Sequence, residues 1–127
     1  MADNLTDTAE NKMLDALVGT ASYSANTPIK LALVTANGSD ATAGTEVSGG
    51  SYARQTIAFG AAASGSISNS GTVSFTGMPT CTVVGIELWD SAGTPVRLAY
   101  GSLTTSKSLT SGDTLEFSAA SITLSLS

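Results

Sequence analysis

The stretch Cys81 to Tyr100 constrains the fold more than any other part of the chain. Its first arm, Cys81 to Trp89, alternates with period two. Val84, Ile86 and Leu88 fall on one face, and Val83, Glu87 and Trp89 on the other. The second arm alternates in the same way, with Val96, Leu98 and Tyr100 opposite Arg97 and Ala99. Between the arms, Asp90 to Pro95 is dense in turn-forming residues, so the spacing predicts a β-hairpin. It also contains the sole Trp, and we place it at the centre of a β-sheet core.

The rest of the chain is organised around that hairpin. Asp7 to Val18 is the one convincing helix, with Asp7 as its expected cap, Glu10 reaching back to it, and Gly19 as a left-handed stop. Ala9, Met13, Ala16 and Leu17 make an apolar stripe, broadened by Leu14 and Val18. A helix of about three turns needs something to lie on, so we expect it to cover the open end of its own sheets; docking on a partner subunit is the alternative. Strands are expected at Ile29 to Thr35, with Ile29, Leu31 and Leu33 alternating, and at Tyr52 to Phe59. Ser66 to Asn69 and Thr72 to Thr76 form a polar hairpin around Ser70-Gly71 with Ile67, Val73 and Phe75 inward, and further strands run over Thr114 to Ser118, showing Leu115 and Phe117, and Ser121 to Ser127, with Ile122, Leu124 and Leu126 in alternation. Ala36 to Ser51 and Thr104 to Ser111 read as polar loops, the second with Leu109 as an anchor. The resulting expectation is an all-β chain: a single antiparallel β-sandwich, jelly-roll-like, of about eight strands with one short N-terminal helix. Residues 1–127 form one domain in this reading, with 1–19 an arm and helix and 28–127 the sandwich.

Composition narrows function mainly by exclusion. Charged residues are 12% of the chain, against a norm of about 25%. The formal net charge is −5, and Lys12, Lys30, Arg54, Arg97 and Lys107 are dispersed, so neither nucleic acid nor an anionic membrane is an expected partner. Cys81 is the only cysteine and histidine is absent, which rules out an intrachain disulfide and the usual zinc sites. The acidic, polar first residues do not resemble a secretion signal, so we expect the chain to be made in a cytoplasm and to stay there or join an assembly. The sequons at Asn4 and Asn37 then carry no meaning.

Candidate chemistry is thin. Glu87, Asp90, Asp113 and Glu116 could be imagined as an acid/base pair, but Asp90 and Asp113 sit at turns, and Glu87 and Glu116 are expected to point outward. Without histidine no Ser-His dyad exists, and no calcium or phosphate loop is present. Tyr23, Tyr52, Tyr100 and Trp89 could form a sugar platform, but we read them as core or interface residues. We therefore expect no enzyme, no catalytic residue, no cofactor and no metal.

Gly49-Gly50-Ser51-Tyr52-Ala53-Arg54-Gln55, preceded by Gly44-Thr45-Glu46-Val47, resembles a segment of small virion proteins of tailed bacteriophages. The resemblance extends in order to Leu14-Leu17, the strand Ile29 to Val34, Gly85 to Trp89 with its turn, and the close Gly112 to Phe117. Such proteins are labelled as head decoration (cement) proteins or as tail-fibre or minor tail proteins. The resemblance implies a structural role and brings over no catalytic residues. In Gly49 to Gln55 it implies glycines that permit close approach, with Arg54 and Gln55 bonded to neighbouring backbone. On that basis we expect a capsid cement protein on the outer head surface. It would act as a homotrimer bound to the major capsid protein, through Ala2 to Asp7 and the Ala36 to Ser51 loop. The alternative is a tail-fibre module that binds a host receptor.

Overall fold

A computed structural model describes residues 5–125, in which one helix, α1 (Asp7–Val18), precedes nine strands. The helix has the expected bounds, but its cap is Thr6 rather than Asp7. Thr6 is extended, at φ −74° and ψ 158°, and its hydroxyl accepts a hydrogen bond from the Ala9 N–H at 3.2 Å. Thr6 takes this role because the sheet already holds it. Its N–H donates to the Leu98 carbonyl at 2.9 Å, its hydroxyl donates to the Arg97 carbonyl at 2.9 Å, and Leu5 bridges to Ala99. Gly19 ends the helix in the left-handed region at φ 81°.

The main sheet runs in the order β2 (Thr45–Glu46), β1 (Lys30–Ala36), β6 (Cys81–Trp89), β7 (Arg97–Leu109), with β3 (Gln55–Thr56) also on β1. Two separate ribbons complete the strands: β4 (Ser66–Ser68) with β9 (Thr123–Ser125), and β5 (Val73–Met78) with β8 (Asp113–Phe117). Every one of these pairs is antiparallel. The fold is thus mostly β with one N-terminal helix, but no sheet closes into a sandwich or barrel. The jelly-roll expectation is corrected because the second layer is not one sheet: short ribbons alternate with small-residue segments that pair with nothing regular.

Several strands differ from the sequence reading. The polar hairpin across Ser70-Gly71 does not form; β4 pairs with β9, and β5 with β8. Asn69 is the reason. Its N–H donates to the Ile122 carbonyl at 3.1 Å and its Oδ1 accepts from the Ile122 N–H at 2.9 Å, while Nδ2 donates to the carbonyls of Gly71 at 2.8 Å and Ser118 at 3.0 Å. This buried amide pins the turn to the distant C-terminal segment. Asn69→Ala is expected to lower the unfolding free energy by about 1–3 kcal/mol, because it strands buried backbone groups, and urea denaturation measures it. The segment Thr104 to Leu109 is strand rather than loop. Cys81 pairs with Leu109 and Thr82 with Ser108, and Leu109 is buried as an anchor. Of Tyr52 to Phe59, only Gln55–Thr56 is strand. In the last expected strand only Thr123–Ser125 is strand, and Leu126 lies outside the described residues.

The core lies on one face of the main sheet. Leu31, Leu33, Val83, Leu88 and Ala99 meet Val73, Phe75, Met78 and Leu115 from the β5–β8 ribbon. Phe75, 1% exposed, stacks on Tyr52 at 6.0 Å and meets Phe117 edge-on at 6.3 Å. The alternation expected along β6 breaks between Val83 and Gly85, where the register shifts; Val83 therefore joins the same core as Leu88. A second shift at Leu88/Trp89 lets Arg97 pair with Trp89 while Tyr100 pairs with Glu87. Arg97 and Tyr100, expected on opposite faces, then share one, with the guanidinium 5.0 Å from the Tyr100 ring centre.

The helix does not cover the sheets as expected. Ala9 is its one buried residue, whereas Leu14, Leu17 and Val18 are exposed. Thr6 fixes the first turn to β7, Lys12 and Met13 of the next turn border an apolar cavity with Ile29, Leu88 and Leu98, and the exposed aliphatic side chains follow from Leu14 onward.

Candidate functional site

The polar side chains gather on the face of the main sheet opposite the core. Glu87 lies mid-strand on β6, beside Ala32 of β1 and Tyr100 of β7. The loop 37–44 folds over it, so Glu87 is 2% exposed rather than outward as its strand position suggested. Its Oε2 accepts the Gly44 N–H at 2.7 Å and Arg97 at 3.4 Å, and its Oε1 accepts the Trp89 indole N–H at 3.2 Å. Arg97, also buried, donates to the Ser39 carbonyl, and the Tyr100 hydroxyl donates to Asp40. Asn37 donates to the Ser102 hydroxyl at 3.0 Å. The loop read as a long surface loop is therefore bonded to its own sheet at four points. The hydrogen bond to Asp40 and partial burial push the Tyr100 phenol above its usual pKa.

A second group adjoins the first. Arg54 places its guanidinium 4.1 Å from the Trp89 ring centre and bonds Glu46 through both carboxylate oxygens, at 3.0 and 2.9 Å. The Tyr52 hydroxyl donates to Glu46 Oε2 at 2.6 Å and accepts the Leu33 N–H at 3.0 Å. That last bond has a structural purpose. β2 and β3 both pair with the outer edge of β1 but leave a gap between them, and Tyr52 fills it. The segment Gly49 to Gln55 is thus a sheet-edge plug. Gly50, at φ 55°, lies so close to the Gly77 carbonyl that a Cβ there would sit 2.6 Å from the oxygen. Gln55 bonds the Ala53 carbonyl, as the resemblance implied, whereas Arg54 bonds a side chain rather than backbone.

Burial disfavours ionised Glu46, but hydrogen bonds from Arg54 and Tyr52 and the Arg54 charge outweigh it and hold the carboxyl below its usual range. A carboxylate with a lowered folded pKa gives stability that is complete above the ordinary value of 4.5 and is lost as pH falls through the lower folded value. The urea midpoint is therefore expected to drop more steeply below pH 4.5 in the native protein than in Glu46→Gln. Equal acid profiles would refute this. Burial, and then the bond to Glu46, raise the Tyr52 pKa far above its usual value, so this phenol stays protonated.

No other expected site assembles among the described residues. Each candidate carboxylate has its own partners: Glu87 is ion-paired, Asp90 accepts from the Ala92 and Val96 N–H groups, Asp113 from the Thr110 N–H, and Glu116 from the Ser74 hydroxyl. The four aromatics do not converge on a platform either. Trp89 is covered by Arg54, Tyr52 packs on Phe75, Tyr100 lies against Arg97, and Tyr23 lies below Lys12. Asp7, Glu10 and Asp40 approach within 4.8 Å of one another at the surface, but Asp40 is already engaged by Tyr100. Burial pushes the Cys81 thiol up, away from the reactive thiolate. The charged contacts between the loop and the sheet were invisible in the sequence, although Glu87 in an apolar strand and Arg97 across its hairpin were a usable signal.

Ionic and aromatic groups spent on holding loops in place, beside an apolar ridge left open, describe a structural protein. A family model described as podophage GP4 fiber I protein gp80 matches residues 4–125. The chain belongs to this family of phage fibre proteins, and is a structural component of a tailed-phage virion rather than an enzyme. No curated protein matches it.

Proposed function

We propose that this chain is a structural module of the tail fibre that works by fitting against other virion proteins. The observation that carries this reading is the exposed helix ridge in a chain whose charged and aromatic side chains are largely engaged internally. Groups satisfied in this way make a rigid body, and the exposed aliphatic side chains supply what an interface needs. The family description favours the fibre over the capsid cement reading, which rests on resemblance alone. Receptor binding by stacking on aromatic rings is the weaker part of the fibre reading, because the four rings do not form one surface.

The test is to image intact particles labelled with an antibody against this chain. Label along the fibres or tail supports the proposal. Regular label over the head lattice overturns it and restores the cement reading, with the major capsid protein as partner.

A further inference from the structure

One dipeptide in the loop over Glu87 carries covalent chemistry of its own. Asn37-Gly38 leads from β1 into the loop 37–44, and Asn37 is the only asparagine in the chain that precedes a glycine. A glycine has no side chain to shield its main-chain nitrogen from the carboxamide before it. Asn37 is half-buried, Gly38 is exposed, and neither belongs to a helix or strand. Among the described residues, no main-chain carbonyl accepts the Gly38 N–H. The other described asparagines are placed differently. Asn69 is bonded through both ends of its amide, and Asn26 donates to Asp90 at 3.5 Å. Asn11 lies within α1, where the helix ladder holds the N–H that follows it. Asn37 has one tie: its Nδ2 donates to the Ser102 hydroxyl at 3.0 Å, at the surface, while Oδ1 rests over Gly85, where a Cβ would collide with it. A single hydrogen bond of this kind gives a net preference of about tenfold at most, so the carboxamide is readily released.

We propose that Asn37 is a site of spontaneous deamidation, and that its conversion loosens the loop that covers Glu87. The Gly38 nitrogen loses its proton to hydroxide and attacks Cγ of Asn37. The new N–Cγ bond closes a five-membered imide, the Cγ–Nδ2 bond breaks, and the side-chain nitrogen leaves as ammonia after taking a proton from water. One water then opens the imide at either carbonyl. The product is aspartate or, with the main chain rerouted through Cβ, isoaspartate. Both products lose the amide donor to Ser102 and add a negative charge to a loop that already holds Asp40. Isoaspartate also lengthens the main chain by one carbon, just before the residues that bond the sheet: Ser39 to Arg97, Asp40 to Tyr100, and Gly44 to Glu87. The loop has no room for it, since a Cβ on Gly38 would already collide with the main chain of Thr42 and Gly44. The reaction needs no partner and does not depend on where in the virion the chain lies.

Ageing the folded full chain in mildly alkaline buffer tests it, with peptide mapping by mass spectrometry and isoaspartate scored by enzymatic methylation. A more acidic species is expected to accumulate, with the change at residue 37 ahead of every other asparagine. It should form faster as pH rises, because the attacking nitrogen must first lose its proton. Asn37→Gln, which would need a larger ring, should stay unconverted. Asn37→Asp, made directly, carries the added charge without the rerouted main chain. The aged isoaspartate fraction should therefore be cleaved by protease within 37–44 faster than either fresh wild type or Asn37→Asp. An Asn37 that stays intact in the folded chain while urea-unfolded chain converts overturns the proposal, because the fold then shields it. So does earlier conversion of another asparagine, or an isoaspartate fraction no more easily cleaved than Asn37→Asp.

Discussion

Glu87→Ala is expected to lower the free energy of unfolding by about 3–5 kcal/mol, a large share of the 5–15 kcal/mol of a typical domain. The substitution removes the carboxylate that Arg97, the Gly44 N–H and the Trp89 indole all address. Arg97 is 8% exposed, so its charge would remain buried against the Tyr100 ring with the Ser39 carbonyl as its remaining hydrogen-bond acceptor and no carboxylate paired to it. The cost comes from that orphaned charge more than from the lost attraction. A double variant, Glu87→Leu with Arg97→Met, should therefore be markedly more stable than Glu87→Ala alone. Guanidinium denaturation of the three proteins measures both effects. The loop 37–44 loses an anchor in the single variant and should become more easily cleaved by protease. A loss below about 1 kcal/mol, the range of a solvent-exposed ion pair, would mean that the pair is not buried.

Phe75→Ala is expected to cost about 3–5 kcal/mol, the range for deleting a buried aromatic ring. Phe75 lies between Tyr52 and Phe117, so its loss opens a cavity between the main sheet and the β5–β8 ribbon. Tyr52 also closes the gap on the edge of β1 through its hydroxyl. Loosening its ring should weaken that edge too. A fall in melting temperature of roughly 10–20 °C is expected for a chain of this size. Phe75→Leu, which keeps most of the volume, should lose much less. If the two substitutions cost the same, the ring is not closely packed.

Both results turn on features of unequal visibility in the sequence. Phe75 was legible as an inward residue because Val73 and Phe75 alternate with polar neighbours. Its partners were not, since nothing local says that β5 pairs with β8 rather than with the strand just before it. Glu87 was legible as a strand residue but was placed on the wet side. Whether a polar face is wet depends on what covers it, and here the cover is a loop more than forty residues earlier in the chain (Gly44 to Glu87, a separation of 43). The helix shows the same limit in reverse. Its bounds, its stop at Gly19 and its stripe were plain, yet the stripe is split: Ala9 is buried where Thr6 ties the first turn to β7, whereas Leu17, with Leu14 and Val18 beside it, is exposed.

The sequence by itself determined the elements that local rules govern: helix α1, the β6–β7 hairpin about Asp90, and the inward residues Leu31, Leu33, Val73, Phe75, Leu115 and Ile122. These follow from period, turn chemistry and capping within a few residues. Tertiary structure alone decided which strands pair, which face Arg97 and Tyr100 share, and that Glu87 is dry. Strand pairing is made by hydrogen bonds between distant segments, and a single register shift inverts the side on which every later residue falls. Burial of a charge needs a lid that no neighbouring residue encodes.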